Sequence, residues 1–189
     1  YGPLLLQGIQ RDEVTHVDID RADKILQFYL TNTSDFNEAH LTNLTDMFSD
    51  SYFWYGQYAM SEYFIRDNIP SFQYLLTFKG QYSYLDMFGI DSSDYGVCHV
   101  DELFYLWQPS FGVQTQLLEE ETNVSEQMLE YWTNFMTYAD PTPPNSDLNK
   151  WTSLSKISRN YLNINVDSIM EFGDDYKARM EMWAQMFYI

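Results

Sequence analysis

The chain has one cysteine, three histidines and few basic residues, and each shortage closes off a class of protein. Cys98 stands alone among 189 residues, so no internal disulfide can form and cysteine usage leaves the redox compartment undecided. Ten Lys and Arg face 28 Asp and Glu, for a formal charge of −18. A surface of that sign repels phosphate backbones, so no nucleic-acid partner is expected. No apolar run approaches the roughly 20 residues that cross a bilayer, so no membrane span is expected. His16, His40 and His99 lie far apart, with no H-x-x-x-H pair and no second cysteine to complete a zinc site. The eight glycines are scattered singly and form neither a P-loop nor a dinucleotide-binding loop. No metal and no cofactor is expected.

What the chain has instead is apolar and aromatic bulk: 45% hydrophobic and 18% aromatic residues, enough for a sizeable core. No internal repeat or low-complexity linker divides it, so residues 1–189 read as part of one domain. The opening "YGPLLLQGIQRDE" reads as a buried strand already in progress, which suggests a piece of something larger. "RADKILQFYL" spaces Ile25, Leu26, Tyr29 and Leu30 as a helix, and "TNTSDFNEAH" reads as a loop. A long helix with a broad aromatic face is expected over "TDMFSDSYFWYGQYAMSEYFIRDN", ending before Pro70. "SFQYLLTF" alternates Phe72, Tyr74, Leu76 and Phe78 as a strand closed by Lys79-Gly80. "HVDELFYLW" predicts a short helix broken at Pro109, and Glu119-Glu120-Glu121 reads as a solvated loop.

After that loop, Ser125 is the expected N-cap of a helix whose apolar face is Met128, Leu129, Trp132, Phe135 and Met136, stopped by "ADPTPP". "YLNI" predicts a short strand. "DDYKARMEMWAQMFYI" predicts a closing helix built on Tyr176, Met180, Trp183 and Phe187. Strands alternating with helices point to an α/β fold, a mostly parallel sheet flanked by helices. Three sequons, at Asn32, Asn43 and Asn123, lie in polar stretches that could carry glycans. Chance supplies roughly one or two such matches, so they tilt the reading toward a secreted or extracellular protein.

Two short blocks could carry chemistry. "GIQRDEV" puts Asp12 and Glu13 just after the first strand, and "YGVCHV" puts His99 where a loop enters a helix. In an open α/β sheet, the carboxyl edge of the strands is where catalytic groups gather. A histidine oriented by a carboxylate is the arrangement that activates a serine hydroxyl. By spacing alone, a solvated Asp-Glu turn and a structural histidine are the commoner outcomes of such short blocks.

The same residues resemble the carboxylesterase/cholinesterase family of α/β hydrolases. "GVCHVDELFYLW" is similar to the family's Gly-Val-x-His-x-Asp-Glu-Leu block around the catalytic histidine, and "GIQRDEV" to the Gly-x-x-x-Asp-Glu-Gly block that ends in the catalytic acid. "LTDMFSDSYFWYGQYAMSEYF" resembles the helix between them. "EYWTNFMTYADPTP" resembles the family's Trp-x-x-Phe segment that runs into Asp-Pro, and "YLNI" its short late strand.

The blocks keep the family's order over nearly the whole chain. The resemblance implies the C-terminal part of an α/β-hydrolase fold and a Ser…Glu…His triad. Glu13 and His99 would be the acid and the base. The nucleophile would lie outside this chain, because no Gly-x-Ser-x-Gly occurs in it. The chain alone would then be inactive and would need the N-terminal remainder of the same protein as its partner.

A small hydrophobic ester is the implied substrate, Phe104 and Trp107 are candidates for lining its pocket, and homo-oligomerisation is left open. Asp101 and Glu102 are expected to anchor the loop rather than to do chemistry. The missing disulfide favours arthropod-type carboxylesterases, a juvenile-hormone-esterase-like member among them. The same family also contains inactive adhesion proteins, which is the alternative function. Three departures stand out: Val14 replaces a Gly after the acid, Ala139 stands where Gly precedes Asp-Pro, and the interval from Glu13 to His99 is short, compressed between Thr15 and Arg21.

Overall fold

A computed structural model describes residues 15–30, 38–107, 116–157, 159–173 and 176–187. The strand expected over "PLLLQGI", Glu13, Val14, Asn32 and Pro109 lie outside these residues. In chain order the described elements are α1 (His16–Leu30), α2 (Leu41–Ser49), a π-helical segment (Asp50–Trp54), α3 (Tyr55–Arg66), β1 (Tyr74–Leu76), α4 (Tyr84–Met87), α5 (Leu103–Leu106), α6 (Glu119–Tyr138), β2 (Asn160–Ile164), β3 (Ile169–Phe172) and α7 (Lys177–Phe187). The chain divides into two compact units, residues 1–69 with 173–189, and residues 70–172.

The first unit is helical. Thr15 opens α1 with a capping box: its backbone N–H donates to Asp18 Oδ2 at 2.9 Å, and its hydroxyl oxygen accepts from the Asp18 N–H at 3.3 Å. The helix begins at His16 and runs unbroken past Arg21, over the segment where the sequence looks compressed. Ala22, Ile25, Tyr29 and Leu30 form its buried stripe. They pack against Met47 of α2 and against Met180, Met182, Trp183 and Met186 of α7. Tyr176 and Phe187, expected on that face, pack at its margin.

The long helix expected after residue 44 is present, but a π-helical turn interrupts it at Asp50–Trp54. A π turn accommodates one residue more than an α turn and so rotates the face that follows. Asp50 begins this turn fully buried. Its Oδ1 accepts from Arg179 Nη2 at 2.9 Å and its Oδ2 accepts from the Tyr29 hydroxyl at 2.5 Å. Arg179 Nε lies 2.8 Å from Asp50 Oδ2 as an ion-pair contact, outside hydrogen-bond alignment. The Trp183 indole donates to the Tyr29 hydroxyl at 2.7 Å, so one network joins α1, the π turn and α7. Burial pushes the Asp50 carboxyl above the usual range, and the bonds from Tyr29 and Arg179 only partly offset it.

The second unit is a small sheet under a long helix. β1 pairs parallel with β2, with Tyr74 opposite Leu162, and β2 pairs antiparallel with β3. The described sheet is therefore mixed rather than parallel. β3 was not foreseen; it folds back through a tight turn in which Asn165 and Ser168 bond each other. β1 is also shorter than the alternation of "SFQYLLTF" implied. Leu76, Phe78, Leu162 and Ile164 form the dry face of the sheet with Val124, Met128 and Tyr131 of α6, around Trp151. The Trp151 indole donates to the Gln73 carbonyl at 3.0 Å.

The expected start and face of α6 both need correction. Glu119, Glu120 and Glu121 are not a solvated loop but the first turn of the helix, where carboxylates favour the exposed N–H groups. Ser125 is not the N-cap: it sits inside α6, and its hydroxyl donates to the Tyr105 carbonyl at 2.6 Å. The buried stripe is Glu121, Val124, Ser125, Met128 and Tyr131. Leu129, Phe135 and Met136 are exposed, Met136 by 76%. Trp132 and Phe135 instead meet the rings of Tyr74 and Phe72 at the margin of the sheet. Apolar residues on two adjacent stripes made the periodicity ambiguous, and the polar Glu121 and Ser125 hid the true one.

α6 ends at Ala139 in the left-handed conformation, φ 53°. This is where the sequence departs from Gly, and the conformation explains why Gly suits the position. Relief of about 1–2 kcal/mol of left-handed strain, less about 0.4–1 kcal/mol of added unfolded-state freedom, should make Ala139→Gly stabilising by roughly 0.5–1 kcal/mol, read as a higher urea midpoint.

Arg179→Met should cost about 3–5 kcal/mol at pH 8 because it strands a buried carboxylate. The raised folded pKa of Asp50, raised further without its counter-charge, means the deficit should shrink as pH is lowered and Asp50 protonates. Urea melts at pH 8 and at a lower pH check the sign.

Candidate functional site

His99 lies on the long connection between β1 and α6, in the second unit. Its described part holds little regular structure, so its shape depends on side-chain bonds to the backbone. Past β1, the Thr77 and Phe78 N–H groups still donate to the Ile164 carbonyl, at 3.0 and 3.2 Å. The Lys79 ammonium then donates to the Ser92 and Tyr95 carbonyls and draws that turn in. Gly80 N–H donates to the Tyr105 hydroxyl at 3.1 Å, and a Cβ at Gly80 would collide with that oxygen and with Glu121 Oε1.

Glu121 is 2% exposed, yet all its bonds are to donors of this region. Its Oε1 accepts from the Gln81 N–H, and its Oε2 from the Gln81 side chain and the Leu118 N–H, each at 2.7 Å. Burial, with the Glu121 charge next in size, pushes the Tyr105 phenol up to about 12, which keeps it a neutral partner for Gly80. The start of α6 is thus tied to the end of β1 through one carboxylate.

A second buried carboxylate holds the histidine turn. Asp101, 4% exposed, accepts at Oδ1 from the Ser83 hydroxyl at 3.1 Å and the Tyr84 N–H at 2.9 Å. Its Oδ2 accepts from the Cys98 N–H at 2.9 Å, while the Asp101 N–H returns a 3.1 Å bond to the Cys98 carbonyl. Asp101 therefore anchors the loop, as expected from its place in the block. His99 is exposed at the tip of the Cys98–Asp101 turn. Val100, next to it, has φ 73°, in the left-handed region that a β-branched residue adopts only under strain. The Cys98 thiol is pushed up by burial and then by the Asp101 charge, partly offset by the His99 backbone N–H, so it is held away from thiolate chemistry.

The expected helix over 99–107 is confined to α5, because residues 99–102 form the turn. Phe104 is 5% exposed and packs on the rings of Tyr82 and Tyr84, with centroids 6.0 and 4.8 Å away. Trp107 is 63% exposed. The side chain of Asn43, on α2, donates to the Tyr29 carbonyl at 2.6 Å, while Asn123 stands exposed in the second turn of α6. Glu13 and Asn32 lie outside the described residues. Sequence reasoning missed Glu121 and Tyr105; the acidic run before a long apolar-periodic segment was the available sign of a helix start. Among the described residues, no helix is long and apolar enough to cross a membrane, and no group of three or more His, Cys, Asp or Glu could hold a metal ion.

Gly80→Ala should force Glu121 and Tyr105 apart and destabilise the protein by about 1–3 kcal/mol, measured by chemical denaturation.

The family model described as "Carboxylesterase family" matches residues 7–183. Juvenile hormone esterase of Tribolium castaneum is 33% identical over 125 residues, 63% of this chain and 21% of that protein. The crystal structure of juvenile hormone esterase from Manduca sexta, with OTFP covalently attached, superposes with a TM-score of 0.77 at 16% identity. That match covers 100% of this chain and 35% of the other. The carboxylesterase of Geobacillus stearothermophilus superposes with a TM-score of 0.60 at 14% identity, over 87% of this chain and 34% of that one. The chain thus spans between a fifth and about a third of the relatives' length. The structural likeness carries the fold, an α/β hydrolase of which a small mixed sheet and its helices are described. With a family match over nearly its whole length, the chain belongs to the carboxylesterase family.

Proposed function

We propose that the full-length protein hydrolyses carboxylic esters through an acyl-enzyme, with this chain supplying the acid Glu13 and the base His99 of a Ser-Glu-His triad. The observation that carries this reading is His99 itself, exposed on a turn pinned by a buried carboxylate, inside the block that resembles the family's histidine block. Glu13 would accept a hydrogen bond from one ring nitrogen and hold the imidazole in the tautomer that leaves the other nitrogen basic.

His99 would take the proton of an upstream serine as its oxygen attacks the ester carbonyl, then pass that proton to the departing alcohol. In the second half, His99 would take a proton from water as the water attacks the acyl-serine. It would return that proton to the serine oxygen as the carboxylic acid leaves. The nucleophile belongs to the N-terminal remainder of the protein, since this chain contains no Gly-x-Ser-x-Gly.

The names of the relatives point to a small hydrophobic ester of the juvenile hormone kind as substrate. Exposed Trp107 suits the wall of an apolar pocket better than Phe104, which is committed to Tyr82 and Tyr84. Secretion belongs to the same reading. Of the sequons, Asn43 and Asn123 are both exposed, and their side chains donate to backbone carbonyls, of Tyr29 at 2.6 Å and of Val166 at 3.4 Å.

In the full-length protein, His99→Ala and Glu13→Gln should each lower kcat for a simple aryl ester, the first by at least about 10⁴-fold. Unchanged turnover in either variant refutes that residue's role. An organophosphate, or OTFP, should label one serine outside this chain; a protein that takes no label and turns over no ester would be a non-catalytic relative of the same fold.

A further inference from the structure

We propose that Asp101 is a positioning residue for His99: its carboxylate holds the strained Cys98–Asp101 turn closed and so fixes where the imidazole stands. The inference rests on the esterase reading for its consequence, but its geometry stands on the described residues.

Three observations meet here. Val100 is held at φ 73°, where a β-branched side chain crowds its own backbone. A turn in that state reopens unless something over-determines it. The Cys98 N–H is bound by Asp101 Oδ2 at 2.9 Å and the Asp101 N–H by the Cys98 carbonyl at 3.1 Å, so the two ends of the turn close on each other.

The carboxylate cannot drift with the turn, because its other oxygen is fixed by the Ser83 hydroxyl and the Tyr84 N–H at the start of α4. Ser83 and Tyr84 are in turn set by the Ser83–Asp86 capping box. The backbone of His99 is thereby referenced to a neighbouring helix start through one buried side chain. A general base displaced by a fraction of an ångström loses rate without losing substrate affinity, so the effect should fall on kcat.

The geometry also says which change should compensate. Asn at 101 keeps an oxygen for Ser83 and Tyr84, but presents an NH₂ to the Cys98 N–H and breaks the clamp. Gly at 100 adopts the left-handed conformation without strain, so the turn should stay closed with no clamp.

The experiment uses the full-length protein, with active sites counted by organophosphate titration and each variant assayed well below its melting temperature. Asp101→Asn should lower kcat for an aryl ester by at least about 30-fold with KM within about threefold, and Asp101→Asn with Val100→Gly should recover at least about fivefold of that loss. The Cys98 amide should exchange with solvent at least about tenfold faster in Asp101→Asn than in the wild type, and slow again in the double variant. A kcat unchanged in Asp101→Asn, an equal loss in the double variant, or unchanged exchange at Cys98 would each overturn the proposal.

If Asp101→Asn does not fold, Val100→Gly alone decides: a raised melting temperature supports a strained turn, and a lowered one removes it. A wild-type protein inert toward esters, or indifferent to His99→Ala, would overturn the esterase reading instead, and the exchange at Cys98 would still test the clamp.

Discussion

A carboxylate taken out of water must be met by donors, and three that are nearly or fully buried organise the described parts of this chain. Asp50 is met by Arg179 and Tyr29 in the helical unit. Asp101 and Glu121 are met almost entirely by backbone N–H groups and short polar side chains in the sheet unit. In each case the donors come from different elements, so satisfying the charge brings those elements together. Losing one partner leaves a desolvated group uncompensated, which costs far more than an exposed ion pair such as Arg66–Asp67 contributes. These contacts hold segments that have too little regular structure to hold themselves.

The departures from regular backbone have separate causes. The π turn at Asp50 directs the carboxylate inward toward α1 and α7. Ala139 adopts the left-handed conformation because a helix of 20 residues must stop against Asp-Pro, and Asn68 does the same at the end of α3. Val100 differs from both, since it terminates no helix. It lies inside a two-way clamp beside an exposed histidine, where strain serves placement rather than termination. Strain of that kind persists only in a rigid surround, which Lys79, Glu121 and Asp101 supply.

The sheet shows how local pattern and function divide. On β2, Leu162 and Ile164 point into the core, while Tyr161 and Asn163 on the opposite face bond Glu171 of β3. Asn163 continues to Thr77, and Thr77 to Asn165, so this face carries a hydrogen-bonded polar row. One dry face and one polar face orient the sheet against α6 and leave the end of β1 feeding the histidine connection. In the proposed reading this connection carries the base, because ligands and catalytic groups of an open α/β sheet gather beyond the carboxyl ends of its strands.

Read from residues alone, the helices around Ile25, Tyr29, Met180 and Trp183, the strand at "YLNI", the family, and the loop role of Asp101 were all legible. Each is a local signal: a period, a turn residue, or a short block of fixed spacing. The start of α6 was misread because Ser125 and Glu126 imitate a cap, and only the fold shows that Ser125 reaches the Tyr105 carbonyl instead. The buried face of α6 was misread for a related reason: Leu129 and Met136 are as apolar as Val124 and Met128, and the sheet alone selects between the stripes.

Composition excluded classes of partner, and the ordered blocks that resemble the carboxylesterase family pointed to the class of protein and to the residue worth testing, since both depend on which side chains are present and in what sequence. The tertiary structure decided which carboxylates are buried, which donors meet them, and that Val100 is strained beside His99. Those outcomes depend on atoms brought together from distant parts of the chain, and no spacing along it encodes them.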